Sequence, residues 1–178
     1  MKRFINRLAR GWREENGVAS VEFLFALPVL MLIFTASFET GMVMTRSIML
    51  EQSLDMVMRD LRLGHLVAPD NDLLKEEICE KTVIFKDCEN SLMLELQRVS
   101  TATFAMPTAD AACVDREEEI QPVVVLQIGQ DNDLMLVRAC IVQDVMFATS
   151  HLGLKGLRDN PNGDYGIVAV SAFSNEPS

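Results

Sequence analysis

The sequence predicts an α+β protein: one long N-terminal helix, apolar and then amphipathic, packed on a small, mostly antiparallel β-sheet. Three observations predict it. Val18 to Phe38 is a run of 21 residues with one charge, Glu22. Beyond it, Val43, Leu50, Leu54, Val57 and Leu61 recur at a period near 3.5, with Arg46, Glu51, Asp55, Arg59, Asp60 and Arg62 between them. Further on, the period shifts toward the alternating, β-branched pattern of strands.

The chain divides into three parts. Residues 1–17 form a basic leader; residues 1–16 hold five basic and two acidic side chains, a net +3. Residues 18–40 form a transmembrane helix, and residues 41–178 an exported domain with 11 basic and 22 acidic side chains, a net −11. Lys and Arg beside a span mark the cytoplasmic side, so the expected topology is single-pass, N-terminus in, with the acidic domain in the periplasm. That acidity excludes a nucleic-acid partner, whose phosphates call for a basic surface.

As a helix, Val18–Phe38 reaches about 32 Å, close to the ~30 Å of a bilayer's hydrocarbon core. Pro28 lies inside it and predicts a kink. Glu39, at the far end, reads as an interfacial charge. Gly41 is a weak break, and no proline follows until Pro69. One helix of about 45 residues therefore leaves the membrane and lays its apolar stripe on the domain, ending at Gly64, His65 and Pro69. The methionines along it are packing residues, with no cofactor pattern among them.

Asp70-Asn71-Asp72 caps a short second helix, Leu73 to Glu80. Thr82–Phe85 and Ser91–Leu96 read as strands around a turn at 86–90. Residues 101–119 read as an irregular, acidic loop. Pro122–Ile128 is the strongest strand pattern, and Gly129–Asp133 turns it into a hairpin with Leu134–Val142. Residues 144–157 read as a short helix or packed loop, 159–164 as a turn, and Tyr165–Phe173 as the closing strand.

Four cysteines, Cys79, Cys88, Cys113 and Cys140, all lie in the exported part, where disulfides are the expectation. Their spacings of 9, 25 and 27 lack the C-x₂₋₄-C pairs of zinc sites, so no metal is expected. Of three possible pairings the favoured one is Cys79–Cys88, a local loop, with Cys113–Cys140 tying the acidic loop to a strand.

Gly17 precedes Glu22 by five residues, after a basic leader and before an apolar helix. This resembles the type IV prepilin signature. The run Asn16-Gly17-Val18-Ala19-Ser20-Val21-Glu22-Phe23, with Leu27-Pro28-Val29-Leu30 after it, resembles the TadE/TadG-like pilin-like proteins of the tight-adherence (Tad) pilus. The ending Ala169-Val170-Ser171-Ala172-Phe173-Ser174-Asn175-Glu176-Pro177 is also similar. The resemblance implies a minor pilin or pseudopilin, with roles in pilus biogenesis, priming and surface adherence. It implies cleavage by a prepilin peptidase between Gly17 and Val18, and assembly through Glu22 and Phe23. The implied partners are other pilin-like subunits, the peptidase and inner-membrane lipid. Glu22 would pair with the freed amine on Val18 of a neighbour, recovering much of the cost of a carboxylate in lipid.

Two other readings stand beside it. One is an uncleaved single-pass inner-membrane protein with a partner-binding periplasmic domain. The other is a secretory signal cut after Ser37, which releases a soluble protein. The mature N-terminus separates the three: Val18, Met1 or Phe38. Enzyme activity is not expected. His65 and His151 stand in no motif, and no G-x-S-x-G, H-E-x-x-H, phosphate-binding loop or dinucleotide fingerprint occurs. Asp131–Asp133 and Asp159–Asp164 lack the closing glutamate of a calcium loop and read as turns. No cofactor is implied.

Overall fold

The computed structural model describes residues 18–66, 69–106, 110–116, 121, 124, 126–127, 129–130, 132–147 and 164–176. The leader 1–16 and Gly17 therefore lie outside the described residues, as do 148–163, which carry His151 and most of the predicted 144–157 and 159–164 elements.

Helix α1, Val18–Arg62, is 45 residues long, about 68 Å at 1.5 Å per residue. It passes through Pro28, which has no N–H to offer the carbonyl of Leu24. It stops where glycine supplies a left-handed turn. Gly64 sits at φ +69°. The Gly64 amide donates to the Leu61 carbonyl at 3.1 Å and the His65 amide to that of Asp60 at 3.0 Å, so the last carbonyls are satisfied.

Helix α2, Asn71–Lys81, starts under Asp70, whose Oδ1 accepts from the Leu73 amide at 2.8 Å. Near its end Lys81 Nζ donates to Glu77 Oε2 at 3.0 Å. That hydrogen bond is the main reason the Lys81 ammonium holds its proton above its ordinary range. The strand expected at Thr82–Phe85 is a turn instead. The Cys79–Cys88 disulfide holds the two Cα atoms 5.7 Å apart. An extended nine-residue span would reach about 30 Å, so the chain between them must fold back. The one-turn helix α3, Cys88–Ser91, then leads into the sheet.

Three strands follow: β1 Leu92–Val99, β2 Leu134–Asp144 and β3 Asp164–Ser174. They form one antiparallel sheet in the order β1-β2-β3. The predicted 122–128/134–142 hairpin is not formed. β1 pairs with β2 from Leu134 to Ile141, and β3 pairs with all of β2, leaving no free edge there. Leu126 instead makes a parallel bridge to Leu96 of β1, and the Gln127 amide donates to the Leu96 carbonyl at 2.9 Å.

One sheet face carries Leu92, Leu94 and Leu96, Val137, Ala139 and Ile141, and Tyr165, Ile167 and Ala169. Leu50, Leu54, Val57 and Met58 of α1 and Leu74 and Ile78 of α2 complete the core on that side. Each such burial contributes about 1.5–3 kcal/mol before entropy is counted. On the other face, the segment around Cys113 is tied down by its disulfide to fully buried Cys140. Glu95 and Arg138, opposite each other across β1 and β2, form an ion pair of 2.6 Å there. Val168 and Val170 of β3 stay exposed.

Candidate functional site

The first twenty residues of α1 stand clear of the head. From Val21 to Phe38 nearly every large apolar side chain is exposed, including Phe23, Leu24, Phe25, Ile33 and Phe34. A surface that apolar is stable only in lipid or against other helices. The hydroxyls toward its far end are satisfied within the helix. Thr35 Oγ1 donates to the Leu32 carbonyl at 3.1 Å and Ser37 Oγ to that of Ile33 at 2.8 Å. Thr40 and Thr45 do likewise, to Ala36 and Gly41. That is what a helix in hydrocarbon requires of its polar groups.

Glu22 lies on this bare segment, exposed, with no hydrogen-bond or ion-pair partner among the described residues. Phe23 follows it, 62% exposed. Nothing in the described head approaches either of them. Val18 is the first helical residue, and Gly17 lies just outside the described residues. The four cysteines stand far from this segment, as the bridges Cys79–Cys88 and Cys113–Cys140.

Where the helix meets the head, sequence reasoning missed a residue. Glu39 is 2% exposed, and its Oε1 accepts from the Met146 amide at 2.9 Å. Beside it Phe38 and Phe147 meet edge to face, ring centres 6.0 Å apart. Arg46 donates through Nη1 to the Tyr165 hydroxyl and to the Asp144 carbonyl. Glu39 is thus a structural acceptor seating the end of β2 on the helix, not a solvated interfacial charge. No local signal marks it, because its partner is 107 residues away.

At the other end of the head Arg62 donates through Nε, at 3.0 Å, and through Nη2 to Glu176 Oε1. Asp133, in the turn before β2, is occupied by Arg98 Nε at 2.9 Å and by the Gln130 amide at 2.9 Å. Among the described residues no group of acids, histidines and cysteines could hold a metal ion.

Together these features define a class: an α+β head carried on one helix that is long and apolar enough to cross a membrane. Residues 17–59 match the family model described as TadE-like protein, and over that stretch the chain is TadE-like. The match runs from the residue before α1 through the bare segment and into the part of the helix that packs on the sheet. No curated protein and no solved structure matches it.

Proposed function

We propose that the chain is a minor pilin or pseudopilin of a Tad-type pilus and secretion system, with a structural rather than catalytic role in pilus biogenesis, priming and surface adherence. It is made as a precursor held N-terminus in, with the head in the periplasm. A prepilin peptidase cuts between Gly17 and Val18, where small residues let an extended backbone enter the protease cleft. The mature subunit then associates with other pilin-like subunits through α1, with Phe23 beside the contact and Pro28 bending the helix to fit the bundle.

Glu22 carries this reading. A carboxylate on an apolar helix costs about 2.5–3.5 kcal/mol on insertion scales, and this one has no cation within reach among the described residues. Cleavage creates a cation, the amine of Val18, on every neighbouring subunit. The pair recovers much of the cost and favours association.

N-terminal sequencing of the protein purified from membranes tests the first step. Val18 is the expected first residue; Met1 or Phe38 overturns the reading. The second step is tested by Glu22→Ala in cells, which should abolish co-purification with other pilin-like subunits while leaving the head folded. Unchanged association would overturn it.

A further inference from the structure

The vertical order of the head can be read from its contacts. Phe38 and Glu39 meet Phe147 and Met146 at one end, and Arg62 meets Glu176 at the other. The part of α1 between Glu39 and Arg62 is about 36 Å long, and an eleven-residue strand is about 36 Å long as well. Helix and strands therefore span the head together. β2 descends to its end at Asp144 next to the top of the apolar segment, and β3 climbs away from it. The 82–88 turn, reached by α2 running back along α1, lies at this same lower end.

That end holds a cleft of about 550 Å³ whose lining includes Arg46, Lys86, Asp87, Arg116, Asp144 and Met146. Its charges do not cancel. Arg116 binds the Asp144 carboxylate through Nη1 and the Val142 carbonyl at 3.0 Å through Nη2. Asp87 Oδ1 is engaged by Asn90 Nδ2 at 2.7 Å. Glu39, below the cleft, accepts from the Met146 backbone, and buried Asp164 lies outside the lining. Arg46 has a hydroxyl and a carbonyl but no carboxylate, and its Nε is buried with no acceptor among the described residues. Lys86 is exposed with no ion pair among the described residues. In a chain of net charge −10, the recess carries three cations against the carboxylates of Asp87 and Asp144, an excess of one positive charge.

We infer that this cleft seats the phosphodiester of an anionic phospholipid headgroup at the periplasmic face of the membrane. The inference rests on reading residues 18–38 as the span. Arg46 is eight residues beyond Phe38, about 12 Å along the helix axis. Helical side chains tilt toward the helix N-terminus, so the guanidinium reaches back toward the bilayer. The headgroup layer is about 5–8 Å deep on each side, which leaves a gap that a long arginine side chain covers. Met146, half exposed on the lip, faces the acyl boundary. Arginine and lysine are the donors suited to phosphate oxygens.

The test uses the full chain in detergent and in nanodiscs. Native mass spectrometry should show phosphatidylglycerol retained several-fold over phosphatidylcholine. That preference should fall to near parity in Arg46→Gln/Lys86→Gln. Lys86→Gln alone touches no packed residue and should weaken it in the same direction. Inorganic phosphate should leave the melting temperature unmoved. Equal retention of the two lipids, an unaltered preference in Lys86→Gln, or stabilisation by inorganic phosphate equal to that by the lipid would each overturn the inference. Insertion of the wild-type chain into nanodiscs tests the span separately from the cleft.

Discussion

At the scale of single residues, the structure depends on two places that look unremarkable in the sequence. A Cβ added at Gly166 would lie 3.3 Å from Cys140 Sγ and 3.4 Å from Cys113 Sγ. Glycine here leaves room for the Cys113–Cys140 bridge on the sheet's outer face. Gly166→Val should cost about 1–3 kcal/mol through overpacking. It should also lower the yield of that bridge in non-reducing peptide maps, while Cys79–Cys88 forms normally. Glu39 is the second place. Glu39→Ala removes the acceptor of the part-buried Met146 amide and should cost about 0.5–1.5 kcal/mol in thermal unfolding. Glu39→Gln keeps an acceptor oxygen and should cost less. Equal losses in the two variants would show that the charge, rather than the hydrogen bond, holds the seat.

At the scale of elements, the Cys79–Cys88 bridge determines the path between α2 and β1. In the chain-entropy model, closing a loop of this size is worth about 2–3 kcal/mol. The double variant Cys79→Ser/Cys88→Ser should lower the melting temperature by that equivalent and raise hydrogen exchange in residues 82–91 before it affects β2. The same region shows what local sequence can and cannot reveal. The 45-residue helix was legible because its period, its lack of internal breaks and its glycine stop are all local. The strands β1, β2 and β3 were legible from alternation. Thr82–Phe85 misled, because β-branched composition says nothing of a crosslink that folds the chain back. Pro122–Ile128 misled for a related reason: both edges of β2 go to partners distant in sequence, and no pattern in the segment encodes that competition. Of the site, Glu22 stood out because an acid in an apolar run is a local contrast. Glu39 did not, because its burial is created by a loop folded from far away.

At the scale of the whole molecule, the chain separates a part that needs a non-aqueous environment from a part that does not. The bare first half of α1 contributes nothing to the core, and all of its apolar area is left for lipid or neighbouring helices. The second half is a structural member of the head: within one continuous helix, Leu50, Leu54, Val57 and Met58 are almost fully buried against the sheet and α2. No hinge separates the halves among the described residues, since helix α1 is unbroken from Val18 to Arg62. Orientation of the anchor and orientation of the head are therefore one quantity.

The helix is fastened at both ends of the head, by Glu39 to Met146 below and by Arg62 to Glu176 above. A tug on the anchor enters the sheet lengthwise, along the strands. Hydrogen bonds loaded in that direction share the strain and break together, whereas a sideways pull would unzip them singly. Optical-tweezer extension from Val18 against Glu176 should accordingly meet higher rupture forces than extension across the sheet from Leu92 to Ile167, which share one register row through Ile141, and equal forces would contradict this mechanical role for the two fastenings.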